Sequence, residues 1–145
     1  MRTQRLTAIV SSAVAFLFPL VATAQIQLIT KDEASRPDGQ FFNTRAITRG
    51  PSIQLASEND VTGAGFLFKV AFEPKGGATI DTKSLRVEYL KDPVIDLTPR
   101  LLSHIHGNKL EVAQAKVPLG RHALRVTVKD SEGRQTSQII QLQAR

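Results

Sequence analysis

The feature that most constrains the fold is a strict alternation of side chains along residues 65–73 (GFLFKVAFE). Successive side chains of an extended chain point to opposite faces, so every second residue shares a face. One face of this segment is then wholly apolar, while the other is mixed and includes Lys69 and Glu73. This pattern predicts a β-strand with one buried face. The residues predicted to be buried are Phe66, Phe68, Val70 and Phe72.

The same alternation returns in residues 84–90 (SLRVEYL) and 122–129 (HALRVTVK). Turn signals rich in Gly, Pro, Asn and Asp separate the runs, and weaker strands are predicted over 94–97 and 100–105. About seven short strands without helical periodicity predict an all-β, immunoglobulin-like seven-stranded β-sandwich over residues 51–145. The residues predicted to face its interior in the two runs are Leu85, Val87, Tyr89, Leu124, Val126 and Val128.

Residues 1–24 have the three parts of a secretory signal peptide. Arg2 and Arg5 give a positive start, an uncharged and mostly apolar run follows, and residues 22–24 (ATA) supply a small-residue cleavage motif. We expect cleavage between Ala24 and Gln25, and export to the periplasm or the medium. The alternative is an uncleaved membrane anchor, because the apolar run is just long enough to span a bilayer. Cleavage would leave no membrane span in the mature chain.

Composition narrows the class of partner. The chain has 19 Lys and Arg and 13 Asp and Glu, and loss of Arg2 and Arg5 leaves 17 basic residues and a net charge of +4. A mildly basic protein can favour anionic envelope components such as lipopolysaccharide, although mixed charges also serve solubility. Export argues against nucleic acid as a partner. The chain has no Cys, so neither a disulfide nor a Cys-linked lipid anchor is expected.

Residues 25–50 form an N-terminal arm that the seven-stranded domain does not require. Its start, residues 25–30 (QIQLIT), alternates as a short strand would, and a charged, irregular stretch follows. We expect this arm either to bind a partner or to add a strand to its own sheet or to a neighbour's. Aromatic and Arg side chains carry much of the energy of protein interfaces. The candidate partner-binding residues are therefore Phe41, Phe42, Arg45 and Arg49.

Two stretches resemble bacterial immunoglobulin-like domains of periplasmic and surface proteins. The first is residues 77–89 (GATIDTKSLRVEY), similar to the entry to an inner strand, and the second is residues 118–133 (PLGRHALRVTVKDSEG), similar to the final hairpin. The chain departs from antibody-type domains because it has no Cys pair, no Trp and no Tyr at the corner position. The whole chain resembles small exported bacterial proteins with one such domain, and this resemblance implies a fold rather than a function.

His104 and His106 are the candidate metal ligands, because residues two apart on a strand point to the same side. A third ligand would have to be Asp96 or His122. Exported copper carriers of the sandwich type place a His near the mature N-terminus and often use Met, whereas here Gln25 is first and the only Met precedes the cleavage motif. The alternative is a pair of exposed histidines. No metal or other cofactor is predicted, and His122 is expected to hydrogen-bond a loop carbonyl.

The sequence gives little support for calcium binding or catalysis. Asp92, Asp130 and Glu132 are too few carboxylates for a calcium loop, and Asp130 is interpreted as part of a hairpin turn. The chain has no Cys nucleophile and no G-x-S-x-G motif, while Ser103 and His104 are neighbours that would point to opposite faces of a strand. We therefore expect no enzyme.

Three functions remain open from the sequence. The first is a non-catalytic periplasmic or secreted binding module whose partner is another exported protein or an anionic envelope component. The second is a carrier of a metal or small ligand that uses His104 and His106. The third is a structural assembly subunit that exchanges its N-terminal strand.

Overall fold

The computed structural model describes residues 24–41 and 49–145. Residues 1–23 of the predicted signal peptide, and Phe42 and Arg45 of the arm, lie outside the described residues. The described part contains ten strands: β1 (Ile26–Gln27), β2 (Ser52–Leu55), β3 (Asp60–Val61), β4 (Phe66–Glu73), β5 (Ile80–Tyr89), β6 (Ile95–Asp96), β7 (Ile105–His106), β8 (Lys109–Lys116), β9 (Gly120–Asp130) and β10 (Gln135–Ala144).

The strands form two sheets, which makes the protein an all-β sandwich. The first sheet has the order β1-β8-β4-β2, with β7 also paired to β8, and the second has the order β3-β10-β9-β5-β6. Most neighbours are antiparallel, but β1 runs parallel to β8 and β3 runs parallel to β10. The described residues hold more strands than the seven expected because β1, β3, β6 and β7 are two-residue strands at sheet edges.

The core lies between the sheets and consists of the alternating side chains. Those predicted to face inward on β4, β5 and β9 are all buried, so the alternation identified the inner faces correctly. The outward Leu67 is 44% exposed. Apolar burial contributes about 25 cal/mol per Å², which makes this face-to-face packing the main source of stability.

Two short helices depart from the expected pattern. Residues 100–105 were predicted as a strand, and this is wrong: α2 spans Thr98–Leu101, and a 3-10 turn follows over Leu102–His104. The physical reason is the spacing of Leu97 and Leu101, which lie one helical turn apart and are both fully buried. A Pro in the first turn also suits a helix start.

The start of the arm is built into the domain. Leu28 and Ile29 are fully buried, and α1 (Lys31–Ala34) follows with a capping box between Thr30 and Glu33. None of the described helices is long and apolar enough to cross a membrane.

Glu33 fastens the arm to α2. Its carboxylate accepts hydrogen bonds from Arg100 Nη1 at 2.9 Å and from Thr30 N at 2.8 Å, and Arg100 Nη2 reaches its second oxygen. Arg100 Nη1 also donates to Leu28 O at 2.9 Å. The hydrogen bond from Arg100 outweighs the opposing effect of burial and lowers the pKa of Glu33 to about 2.

We expect Glu33→Gln to lower the free energy of unfolding by about 2 kcal/mol at pH 7, because charged hydrogen bonds are lost at a buried carboxylate. The folded pKa lies below the unfolded one, so this contribution is present above pH 4.5 and is lost as the pH falls toward about 2. Urea unfolding at several pH values measures it. Asp60→Asn, which breaks an exposed pair with Arg145, is the control and should cost under about 0.5 kcal/mol. An equal decrease in the free energy of unfolding in the two variants would contradict the stabilising role assigned to Glu33.

Candidate functional site

The outer edge of β8 is paired at its two ends and open between them. At one end β7 pairs with Lys109 and Leu110, and at the other end β1 pairs with Ala115 and Lys116. Between these ends, no strand of the described residues pairs with residues 111–114 on the side away from β4. The sheet therefore has a short open edge in the middle of a strand that is otherwise fully paired.

The backbone of Glu111 points away from β4: its C=O faces the open edge, while the pairing of Ile105 with Leu110 places its N–H on the carbonyl of His104. Ala56 N donates to Lys69 O at 2.8 Å, and Lys69 N donates to Ser57 Oγ at 3.2 Å, so the backbone groups of Lys69 face β2 and its neighbour. Lys69 lies directly opposite Glu111 in the ladder. Antiparallel pairs alternate between bonded and non-bonded, so the N–H and C=O of Glu111 must point away from β4.

A β-bulge lies beside Glu111. Phe68 is opposite Val112 and Phe66 is opposite Ala115, so Ala113 and Gln114 together face one residue of β4. Bulges bend a strand and redirect its side chains, and they are common next to binding sites. The bulge therefore lies within the open edge of β8, next to the end that β1 covers.

A recess of about 180 Å³ lies over the open edge. His104 and His106 form one side, and Ala24 and Ile26 form the other. The bottom is made by residues 111–114. We call this site the edge recess, and it is open to solvent.

The two candidate metal ligands lie at the edge recess, but they do not share a strand as the sequence predicted. His104 ends the 3-10 turn and His106 belongs to β7, so they do not alternate on one strand. Both still line the same recess. In the described part of the chain, no group of three or more His, Cys, Asp or Glu side chains is arranged to hold a metal ion.

Neither residue suggested as a third ligand lies in the recess. Asp96 belongs to the second sheet, and its carboxylate accepts a hydrogen bond from Thr98 N at 2.9 Å. His122 is 2% exposed and is held by two partners inside the domain.

The buried His122 links a strand to a loop. Its Nε2 lies 2.7 Å from Pro118 O, and its Nδ1 lies 2.8 Å from the hydroxyl of Tyr89. A carbonyl oxygen only accepts, so Nε2 must carry the proton, and the Tyr89 hydroxyl then donates to Nδ1. This is the structural role expected for His122, with a loop carbonyl as its partner.

Charges surround the Tyr89–His122 pair on the side of the arm. Lys91 is buried, its Nζ lies 5.3 Å from the centre of the Tyr89 ring, and it pairs with the exposed carboxylate of Asp38. Burial is the main cause that lowers the pKa of His122, and Lys91 lowers it further, while the Pro118 carbonyl and Asp38 oppose the change. The imidazole is therefore held neutral.

Two of the four partner-binding candidates, Phe41 and Arg49, belong to the described residues. Phe41 is half-buried, and its ring lies so close to Gly39 that a side chain at position 39 would have to displace the ring. Arg49 is exposed. Phe42 and Arg45 lie outside the described residues, so their role stays a prediction.

Asp130 forms the hairpin turn that the sequence indicated. Its carboxylate accepts from the backbone N–H groups of Glu132 and Arg134 at 3.0 and 2.9 Å, and from Arg134 Nε at 2.7 Å. Gly133 follows with φ of +76°, which glycine adopts without strain.

Comparisons with family models, with curated proteins and with solved structures found no match to this chain.

Because the folded pKa of His122 is lowered, its contribution to stability is present above the unfolded pKa of about 6.5 and is lost as the pH falls below it. We expect the free energy of unfolding to decrease between pH 7.5 and pH 5.5. His122→Gln should be less stable at pH 7.5 by about 1–3 kcal/mol and should show a smaller decrease. Denaturant unfolding at the two pH values measures both quantities. An unchanged pH dependence in the variant would contradict the buried neutral imidazole.

Proposed function

We propose that this protein is an exported, non-catalytic interaction module that binds another exported protein through the edge recess. The observation that carries this proposal is the open edge of β8 over residues 111–114, between β1 and β7. An exposed sheet edge offers unpaired backbone groups to an incoming chain, which is a common mode of peptide recognition.

The proposed domain type is an immunoglobulin-like sandwich. The two-sheet architecture, the long β9–β10 hairpin and the two stretches of sequence resemblance support it. We assign the site of action to the periplasm or the medium, with cleavage after Ala24, on the basis of the leader pattern. Such cleavage would remove one residue that lines the edge recess.

The edge is protected as functional edges usually are. Natural sheets cover or shorten their edges to avoid uncontrolled pairing. Here β1 and β7 reduce the free length of β8 to four residues, which limits pairing to a short segment. A gap of this size suits recognition of one segment better than open-ended assembly.

A second candidate is a carrier of a metal or a small ligand, because His104 and His106 line the same recess. Two imidazoles alone leave a zinc or copper ion with open coordination positions. A strand-exchanging assembly subunit has less support, since β1 pairs over two residues only and the buried Leu28 and Ile29 follow it.

Point substitution tests the recess better than deletion of the arm. Removal of residues 25–50 would also remove the buried Leu28 and Ile29 and the ion pair of Glu33, and would disturb the fold. Ala113 is exposed and lines the recess, so Ala113→Trp would fill it. Ala71→Trp, on the outward face of β4, is the matched control.

We expect tagged mature protein to capture a partner from extract of the exported fraction, and Ala113→Trp to reduce capture about tenfold or more while Ala71→Trp does not. Mass spectrometry identifies and quantifies the captured proteins. Equal capture by both variants would refute the recess as the binding site. Capture that a chelator abolishes would favour the metal-dependent function instead.

A further inference from the structure

We infer that the mature protein forms a symmetric dimer in which the open edges of β10 in two copies pair as antiparallel strands. This inference concerns a different surface from the edge recess and goes beyond the proposed function. It rests on the direction of the backbone groups in β10, on the composition of this strand, and on the symmetry of the stretch that is left open.

The outer edge of β10 is covered only near its two ends. At one end, β3 pairs with the last two residues of β10. At the other end, Gly50 lies close to Gln135 and Thr136, since a Cβ atom at Gly50 would stand 2.7 Å from Thr136 Oγ1. Between these contacts, no strand of the described residues pairs with residues 137–141 on the side away from β9.

The backbone groups of alternate residues face this opening. Asp130 N donates to Arg134 O at 3.1 Å, so the even-numbered residues of the ladder bond to β9. Gln143 N donates in the opposite direction, to Asn59 O at 2.7 Å. The residues whose N–H and C=O groups face the opening are therefore Ser137, Ile139 and Gln141. None of these groups has a backbone partner among the described residues.

β10 lacks the features that usually protect an exposed sheet edge. Such edges carry charged residues, Pro or a bulge, or they are very short. Residues 135–143 (QTSQIIQLQ) include no charged residue, no Pro and no Gly, and the register against β9 is regular along the whole strand. A neutral segment of this kind with a free edge tends to pair with another strand.

Other open edges in the described part of the chain do have such protection. The register of β5 shifts between Asp81 and Arg86, and Lys83 and Arg86 are exposed there. The open part of β8 is four residues long and contains a bulge. β2 has four residues and follows Pro51. The unprotected edge of β10 therefore indicates that another strand covers it in solution.

The open stretch is complementary to a second copy of itself. In an antiparallel pair centred on Ile139, this residue faces Ile139 of the second copy, and Ser137 faces Gln141. All three residues direct their backbone groups toward the opening, so the two strands can exchange six hydrogen bonds. The stretch extends two residues to each side of Ile139, so this centre leaves both covered ends outside the paired region.

The side chains of the stretch favour the same occupant. Ile140 and Leu142 are buried, so the side chains of Ser137, Ile139 and Gln141 lie on the outer face of the sheet. Ile139 is half-buried, and pairing would cover it with the same residue of the second copy. No charged side chain lies in the stretch, so two copies meet there without repulsion, and an acidic or basic partner would gain no ion pair.

Pairing through β10 leaves both edge recesses exposed. In the first sheet β2 is the strand that packs against β10, and β4 separates β2 from β8. The edge recess therefore lies on the far side of the domain from the β10 edge. A dimer would present two recesses, and attachment through both would raise the avidity for a repeated partner.

The test is sedimentation equilibrium of the mature protein over a range of concentrations. We expect the mean mass to rise from that of one chain to that of two, with a Kd of about 10–100 µM, because the paired edge is short. The amide of Ile139 should become more protected from hydrogen exchange as the concentration rises.

Ile139→Lys and Ile139→Glu each place like charges opposite each other at the centre of the dimer. We expect each variant to dimerise at least about tenfold more weakly than the wild type. An equimolar mixture of the two variants should restore dimers, because opposite charges then face each other. Leu67→Lys is the matched control on the exposed face of the other sheet, and it should leave dimerisation unchanged.

Several results would overturn the inference. They are a mass of one chain at every concentration, growth without limit beyond two chains, and dimerisation that Ile139→Lys leaves intact. Loss of the dimer in Ala113→Trp would place the contact at the edge recess instead. If both variants at position 139 keep the wild-type unfolding transition but their mixture stays monomeric, pairing centred on Ile139 is refuted. Partner capture is measured separately, so failure of this inference leaves the proposed function standing.

Discussion

The burial of alternate side chains between the two sheets is the constraint from which the rest of the structure follows. Because Phe68 and Val70 must face inward, Lys69 must face outward, and its backbone groups must then bond to the β2 side. The ladder between β4 and β8 transfers this alternation to Glu111. The direction of one backbone group at the sheet edge is thus fixed by packing in the core, and a one-residue slip of register would bury the wrong face.

The arm determines the shape of the candidate site as well as the stability of the domain. Glu33 and Arg100 hold α1 against α2, and Arg100 also bonds to the carbonyl of Leu28. These contacts fix the chain that follows β1, and β1 contributes Ile26 to the lining of the edge recess. A segment that looks like a linker in the sequence therefore contributes a charged contact to the fold and a boundary to the proposed binding site.

The sequence predicted those parts of the fold that depend on residues close together in the chain. The alternation in β4, β5 and β9 identified their buried faces, and the carboxylate of Asp130 stabilises the turn expected there. The capping box at Thr30 and the helical spacing of Leu97 and Leu101 were readable signals that were missed. No local signal could have identified the open edge of β8, because it also depends on where β1 ends, and the pairing of β1 with β8 joins residues far apart in the chain. His104 and His106 were predicted to lie together because they are two residues apart on a strand. In the structure the 3-10 turn places His104 at the recess, and β7 places His106 there.

The most direct test of the account is amide hydrogen exchange along β8 in the free mature protein. If the edge of β8 is open between β1 and β7, the Ala113 amide should exchange at least about 100-fold faster than those of Leu110 and Val112, whose backbone groups face β4. Protection of Ala113 equal to that of Leu110 and Val112 would mean that the edge is already paired, and it would contradict the central claim.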